Sequence, residues 1–328
     1  MLIDNHGRPI NYLRLAVTDR CNLRCFYCMP QEGIQFLPKP HLLSYEEMLR
    51  VCTIFGELGI SKVRITGGEP FVRKDILPFI RKISEIEQIN KINLTTNGVL
   101  TAPFVPELKQ LGIHSVNLSL DTLNKNKFHE ITRRDEFDLV WKTFESLLAH
   151  EIPVKINMVV MANKNIEDIL PMVALTKDID VAVRFIEEMP FNGEGRRNDE
   201  SSQWHFPKIL SYIQSVYPDI EKMADEANST SYNYKIPGFK GSVGIIAAYS
   251  RTFCGTCNRI RLTPTGGFRT CLYGDEVLNI RDLMRAGNDN EAIKDQIISV
   301  ISKRAKNGFE AELNRSGQIN ESMTTIGG

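Results

Sequence analysis

Seven cysteines occur in this 328-residue chain, and six of them fall into two tight groups: Cys21, Cys25 and Cys28, then Cys254, Cys257 and Cys271. Thiols clustered in this way are disulfide partners in an exported protein and metal ligands in a reducing compartment. The opening residues Met1–Pro9 include Asp4, His6 and Arg8 and lack the apolar run of a signal peptide, so metal is the expectation. Three thiolates can hold three irons of a four-iron cube and leave the fourth iron open to a ligand. The alternative is structural zinc, which needs a fourth Cys or His. His41 is the only modest candidate near the first group, and the second segment has no histidine. Cys52 stands alone in an apolar helical pattern and reads as a small buried hydrophobe.

Cations accompany the second group. In Cys257-Asn-Arg259-Ile-Arg261-Leu-Thr263, a strand would point Cys257, Arg259 and Arg261 the same way. Guanidiniums grip phosphate oxygens bidentately, so such a strand suits an anionic substrate beside an open iron. No Gly-x-x-x-x-Gly-Lys-Ser/Thr phosphate loop competes for that role. Lys plus Arg and Asp plus Glu balance at 40 each, so no global basic field recruits nucleic acid or a membrane. No apolar run reaches spanning length, since Lys155 interrupts the best candidate, Val154–Met161. The expectation is a cytoplasmic protein without nucleic-acid or membrane partners.

Short β-type runs alternate with amphipathic helices through the first part of the chain. The strands read as Tyr12–Thr18, Lys62–Thr66, Lys91–Thr96, Ser115–Leu120, Val154–Val160 and Val181–Ile186. One helix opens at Ser44, where Glu47 completes a capping-box pattern, and stops at Gly59. Others cover Ile76–Ile86, Val105–Leu111, Leu139–His150 and Ile166–Lys177. This rhythm means parallel βαβ units, two short of a closed eight-fold barrel. The fold class is therefore α/β: a partial, open, six-fold TIM-type βα barrel over residues 1–190. A C-terminal region, 191–328, would carry the second cysteine group and close the barrel side. Within that region Phe191–Ser202 reads as a loop, Phe206–Val216 as a helix and Ala224–Tyr234 as an exposed excursion. Gly241–Thr270 reads as β-hairpins turning at Pro264-Thr-Gly-Gly267, and Glu291–Ala305 as a last helix.

Strand parity then sorts the side chains. Leu13, Leu15 and Val17 share one face and Arg14, Ala16 and Thr18 the other. Arg64 and Thr66, Asn117 and Ser119, Lys155 and Asn157, and Arg184 likewise fall opposite their apolar neighbours. With the apolar face against the helices, the barrel would hold three arginines and a lysine where packed barrels hold Val, Ile and Leu. Carboxylates elsewhere could pair with them, but no matching set lies on these faces, which favours a cavity for an anionic ligand. The first cysteine group follows the first strand, at the end where barrel active sites form.

Cys21-Asn-Leu-Arg-Cys25-Phe-Tyr27-Cys28 resembles the cysteine motif of the radical S-adenosylmethionine superfamily. Gly67-Gly68-Glu69-Pro70, after the second strand, resembles the glycine-rich turn with which that family binds the amino group of the cofactor. Further motifs are similar to those of its GTP 3′,8-cyclase family: Arg64-Ile-Thr-Gly-Gly-Glu-Pro, Leu94-Thr-Thr-Asn-Gly, Arg184-Phe-Ile-Glu-x-Met189, Cys257-Asn-Arg-Ile-Arg and the terminal Gly-Gly. The resemblance implies two [4Fe-4S] clusters on the six cysteines and S-adenosylmethionine at Tyr27, Gly68, Ser119 and Met189. It implies GTP at Arg14, Arg64, Thr95, Lys155, Arg259 and Arg261, with the second cluster's open iron on the guanine. A 5′-deoxyadenosyl radical would take hydrogen from C3′ of GTP, and the sugar radical would attack C8. Arg184, Gly327 and Gly328 would serve catalysis, the Gly-Gly end entering the pocket from Met323-x-x-Ile326. Glu321-Ser322 stands where family tails often carry Arg-Pro, which leaves the tail's anchor open. Implied partners are a reductant such as flavodoxin or ferredoxin, a downstream cyclic pyranopterin synthase and a second copy of the chain in a homodimer. Arg133-Arg134 and Arg196-Arg197 read as solvated pairs, with contact between the latter loop and substrate as the alternative. A peptide-modifying radical enzyme would carry more C-terminal cysteines, and an iron–sulfur electron carrier would not need the cationic cavity.

Overall fold

The computed structural model describes residues 1–30, 33–189, 204–316 and 322–327. A short hairpin, β1 (Leu2–Ile3) with β2 (Pro9–Ile10), precedes the main sheet. Six strands then run parallel and in sequence order: β3 (Tyr12–Ala16), β4 (Lys62–Thr66), β5 (Lys91–Thr96), β6 (Ser115–Ser119), β7 (Val154–Val160) and β8 (Ala182–Glu187). Parity works as anticipated. Leu13, Leu15, Val63, Ile65, Leu94, Val116, Leu118, Ile156, Met158, Val183 and Phe185 are buried in one continuous core with the helices. Arg14, Thr95, Ser119, Lys155, Asn157 and Arg184 lie on the opposite wall and are only partly covered.

Packed on the outside are α1 (Tyr45–Glu57), α2 (Ile76–Ser84), α3 (Val105–Gln110), α4 (Lys125–Thr132), α5 (Phe137–Ala149) and α6 (Ile169–Asp178). The Ser44 capping box forms: Ser44 Oγ accepts from Glu47 N (3.1 Å), and Glu47 Oε2 accepts from Ser44 N (2.8 Å). Helix α4 was not anticipated; only Phe128, Ile131 and Thr132 of its eight residues are buried, too few for a clear 3.6-residue stripe.

The C-terminal region departs from the sequence reading. It adds α7 (Phe206–Gln214), β9 (Glu221–Lys222), β10 (Ser231–Lys235), β11 (Ser242–Ile246), β12 (Arg259–Leu262), β13 (Gly267–Arg269), β14 (Leu278–Asn279) and α8–α11 (Ile280–Arg285, Asn290–Ile301, Gly308–Leu313, Met323–Ile326). Strand β11 joins β8 in parallel and β12 joins β3 in parallel, so this region supplies a parallel strand to each edge of the six. The hairpins expected through Gly241–Thr270 are therefore confined to β12–β13 around the Pro264–Gly267 turn. Ala224–Tyr234 is not wholly an excursion, because Ser231 onward forms β10, paired with β9 and β11. Helix α9 ends at Ile301, short of the expected Ala305. The twelve-stranded sheet runs from β14 to β9, and among the described residues β11 and β12 do not pair, which leaves the barrel open. No described helix is long and apolar enough to cross a membrane.

Strand direction fixes where each cysteine group lies. Cys21, Cys25 and Cys28 follow the C-terminal end of β3, at the upper rim. Cys254 and Cys257 precede β12, which runs parallel to β3, and Cys271 follows β13, which runs antiparallel; all three therefore lie at the lower rim. The two groups face each other along the barrel interior.

Candidate active site between two cysteine groups

At the upper rim the Gly-Gly-Glu-Pro turn is laid against the chain leading into Cys21. Gly68 N donates to Thr18 O (2.9 Å) and Glu69 N to Arg20 O (2.8 Å). A Cβ on Gly68 would stand 2.2 Å from Arg20 O, so only glycine permits the approach. Glu69, fully buried, accepts from Phe71 N (3.1 Å), Thr96 Oγ1 (2.9 Å) and Asn97 N (2.7 Å). Burial pushes its carboxyl up to about 7 against those donors. Asn97 Nδ2 in turn reaches Cys21 Sγ at 3.6 Å and Asn22 Oδ1 at 2.8 Å. The Tyr27 hydroxyl donates to Asp121 Oδ2 (2.8 Å), just past β6, and burial raises Asp121 to about 6. The three thiols are half-buried, and desolvation pushes each of them up, Cys21 to about 12.

The inner wall below is strongly cationic. Strand register sets Arg261, Arg14 and Arg64 side by side, with Arg259, Tyr12 and Lys62 one row lower. Arg64 is 4 % exposed and donates to the Tyr12 hydroxyl (2.6 Å), to Leu94 O (2.7 Å) and, more weakly, to Thr95 Oγ1 (3.4 Å). Burial would raise the Tyr12 phenol, but Arg64 and then Arg14 outweigh it and bring it down to about 7. Lys155 is lowered to about 8 by burial and by Arg184, and Arg184 to about 10 by burial and by Arg64. Arg14 is lowered too, by burial and by Arg261. Arg184 Nε, Asn117 Oδ1 and Asn157 Oδ1 are buried on this wall without a hydrogen-bond partner. Orphaned polar atoms among mutually repelling cations fit a polyanionic, hydrogen-bonding ligand.

Two segments cap the cavity. The stretch Met223–Thr230 reaches the lower rim from the far edge of the sheet, where Asn228 O accepts from Arg259 Nη2 (2.7 Å). From above comes the C-terminal tail. Ser322 Oγ caps α11 through Thr324 N (3.3 Å) and donates to Cys28 O (2.5 Å). Gly327 then sits against Ala16 and Thr66, and its carbonyl accepts from Arg261 Nη1. The serine in place of the family's proline is thus itself an anchor.

At the lower rim Arg304 donates to Cys257 Sγ at 3.3 Å. Burial raises the Cys257 thiol, but Arg304 and then Arg259 outweigh it, so it ends below the usual thiol range, whereas Cys254 and Cys271 are pushed up by burial. Among the described residues, no three Cys, His, Asp or Glu side chains gather closely enough to hold one metal ion. A single zinc draws its ligands to about 2.3 Å, whereas an iron cube spreads its thiolates over separate irons. N–H donors aimed at thiolates, as from Asn97 and Arg304, are the surroundings such a cube takes.

Arg14, Arg64, Thr95, Lys155, Arg184, Arg259 and Arg261 thus share the inner wall between the cysteine groups, and Gly327 lies against it. Tyr27, Gly68 and Ser119 stand at its upper rim, and Met189 packs with the small cluster of Tyr273, Ala311 and Ile326 beneath the tail. Gly328, Glu321 and Arg196-Arg197 lie outside the described residues. Arg133 is not a purely solvated residue: it donates to Met29 O (3.1 Å) and Arg24 O (3.3 Å), bracing the cysteine loop. Sequence reasoning gave no role to Tyr12, Asn97, Asp121 or Arg304, although Tyr12 shares parity with Arg14 and Asn97 lies in the Leu94-Thr-Thr-Asn-Gly motif.

A cysteine loop after the first strand, pinned by a glycine turn after the second, at the upper rim of an open parallel βα barrel, defines the radical S-adenosylmethionine class. The radical SAM superfamily model matches residues 15–176, and a model described as Molybdenum Cofactor Synthesis C matches residues 181–310. Among solved structures the fold is shared with SuiB of Streptococcus suis bound to S-adenosylmethionine (TM-score 0.59, 14 % identity, 89 % of this chain and 65 % of that one). It is shared too with anSMEcpe bound to AdoMet (TM-score 0.56, 17 % identity, 87 % and 82 %). Sequence likeness is much closer elsewhere. The chain is 40 % identical to the mitochondrial GTP 3′,8-cyclase of Arabidopsis thaliana, over 100 % of itself and 84 % of that protein. It is equally 40 % identical to the GTP 3′,8-cyclase of Peptoclostridium acidaminophilum, over 100 % of itself and 98 % of that protein. Molybdenum cofactor biosynthesis protein 1 of Bos taurus is 39 % identical over 99 % of the chain, which spans only 51 % of that longer relative. The chain belongs to the GTP 3′,8-cyclase family of radical S-adenosylmethionine proteins. Membership brings S-adenosylmethionine and [4Fe-4S] chemistry with it.

Proposed function

We propose that this chain cyclises GTP, joining C3′ of the ribose to C8 of guanine, as a lyase at the start of molybdenum-cofactor biosynthesis. The observation that carries this reading is the cationic wall, with its orphaned polar atoms, enclosed between two cysteine groups. Cys21, Cys25 and Cys28 would hold one [4Fe-4S] cluster and Cys254, Cys257 and Cys271 the other, with S-adenosylmethionine at Tyr27, Gly68, Ser119 and Met189. When bound, these groups supply one-electron cleavage of a sulfonium and a radical able to take hydrogen from a C–H bond. The protein's part is binding, orientation and exclusion of water.

Arg14, Arg64, Lys155, Arg184, Arg259 and Arg261 neutralise the triphosphate, which relieves the repulsion that adds to burial in lowering Lys155 and Arg184. Thr95 Oγ1 and the Tyr12 phenol hold Arg64 in its fork orientation. The tail keeps water off the upper rim, and Gly327 O fixes Arg261. Gly328, with Gly327, would serve catalysis. Asp121 and Glu69, each raised by burial, steady Tyr27 and Asn97 rather than moving protons to substrate.

The division of labour follows: residues 1–190 form the S-adenosylmethionine barrel, and 191–328 bring the second cysteine group, both edge strands and the tail. One-electron cleavage calls for a reductant of the flavodoxin or ferredoxin class and a reducing, cytoplasmic setting. A strained cyclic nucleotide calls for a cyclic pyranopterin synthase downstream, and we place the enzyme in a homodimer. The test is an anaerobic assay of the reconstituted chain with dithionite, S-adenosylmethionine and each ribonucleoside triphosphate in turn. Cyclised product with GTP alone is expected. 5′-Deoxyadenosine without a cyclised nucleotide would remove GTP as substrate.

A further inference from the structure

The N-terminal hairpin and Arg304 form a bracket around the lower cysteine group that the substrate reading does not use. Arg304 sits between α9 and α10 and is 4 % exposed. Nε donates to Thr270 O (2.9 Å), Nη1 to Cys257 O (2.7 Å) and Asp4 Oδ2 (3.2 Å), and Nη2 to Cys257 Sγ (3.3 Å) and Arg259 O (3.0 Å). A guanidinium has five N–H donors, and every one of them is engaged. Its acceptors tie the segment of Cys257 to Thr270, the neighbour of Cys271. The third cysteine is held by Arg8, whose Nη1 donates to Cys254 O (3.0 Å) and Lys306 O (2.6 Å).

Between the two arginines lies Asp4, in the turn from β1 to β2. Its Oδ2 meets Arg8 Nε at 2.6 Å and Arg304 Nη1 at 3.2 Å, and its Oδ1 accepts from His6 N and Arg8 N, both at 2.9 Å. Two guanidiniums around one carboxylate leave a net positive charge, buried against a thiolate. Charge and hydrogen bonds to sulfur set the potential of an iron–sulfur centre. Reduction adds negative charge to a group already negative through its thiolates, so a fixed cation donating to one of them favours the reduced form.

We infer that Arg304, oriented by Asp4 and Arg8, is a positioning residue that raises the reduction potential of the centre held by Cys254, Cys257 and Cys271. This rests on the proposed cluster at those cysteines. That premise is checked first, in a C21A/C25A/C28A background, where iron–sulfur EPR absent from the otherwise unaltered chain would remove the premise and not the bracket. With the signal present, anaerobic EPR-monitored titration compares R304Q and D4N. Arg304→Gln removes the cation; the expected effect is a tenfold loss in the reduction equilibrium, about 59 mV more negative for one electron. Asp4→Asn removes the opposing carboxylate, keeps an acceptor for Arg304, and is expected to move the potential the other way. General loosening of the site would move both variants alike. Shifts of the same sign, or no shift in either, overturn the inference. Should R304Q not take up iron, the upward shift of D4N alone decides, and failure of both to load iron overturns the redox role.

Discussion

Gly244 on β11 lies in register with Arg184 on β8, and the fit between them sets how that guanidinium reaches the cavity. A Cβ at Gly244 would stand 2.3 Å from Ser231 Oγ, 3.1 Å from Arg184 Cγ and 3.2 Å from Asn233 Oδ1. Ser231 Oγ is buried and without a partner, so it can rotate away without losing a hydrogen bond. Arg184 Cγ is the stem of the guanidinium and must move the head with it. Overpacking of this kind costs about 1–3 kcal/mol of stability. A misaimed arginine forfeits a charge-assisted bond worth about 1.5–3 kcal/mol, which is roughly 10- to 100-fold in GTP affinity.

The assay pairs thermal unfolding with anaerobic calorimetric titration of GTP into G244A and S231A/G244A. Removing Ser231 Oγ relieves the closest clash, so the double variant is expected to regain most of the stability. The contact with Arg184 remains, so GTP binding stays weak. Wild-type affinity in G244A would refute the placement of Arg184 on the substrate wall. So would a double variant that recovers affinity together with stability, since the loss would then be general.

Other outcomes follow from the same geometry. Lys155, lowered to about 8, loses its charge in the free protein as pH rises through that value, and phosphate favours the charged form; GTP binding should therefore take up a proton and weaken above about pH 8. K155M should remove the part of the pH dependence and of the buffer-dependent binding enthalpy that arises near pH 8, leaving what Tyr12, brought down to about 7, contributes, and a wild type and K155M with the same profile would contradict this. Ser322→Ala removes a cap worth about 1 kcal/mol, so amide exchange over Met323–Gly327 should quicken roughly fivefold by mass-spectrometric hydrogen exchange, and unchanged exchange would show the tail anchored elsewhere. Gly68→Ala places a Cβ 2.2 Å from Arg20 O, where backbone meets backbone; iron should be lost from the upper group alone, and iron analysis showing both groups filled would refute it.

What was legible in the sequence was whatever repeats at short range. Alternation along β3, β4, β7 and β8 exposed Arg14, Arg64, Lys155 and Arg184, because inner and outer walls differ at every second residue. The Ser44–Glu47 box marked a helix start for the same local reason. Tyr12 escaped because an aromatic at a strand's first position reads as core; only the register beside Lys62 and Arg259 places its hydroxyl among the cations. Asp4 and Arg304 could not be paired by any spacing rule, being 300 residues apart. Strands β11 and β12 were read as hairpins because the turn at Pro264–Gly267 is local, whereas the parallel partners β8 and β3 are remote.

A six-stranded open barrel presents two bare edges, each a row of unpaired backbone groups. Covering one edge with β11 and the other with β12 obliges the intervening Ala247–Asn258 to travel from the upper rim to the lower. The pairing strands span roughly 3.3 Å per residue, so this connection is long enough to make the crossing, and it carries Cys254 and Cys257 to the lower rim. The same pairing lays Arg259 and Arg261 beside Tyr12 and Arg14. Edge protection, the second cysteine group and the completed cationic wall are thus one topological event. A chain cut before β11 should lose all three together, retaining neither lower-rim iron nor affinity for GTP; retention of GTP binding by such a fragment would show that the six strands alone make the site.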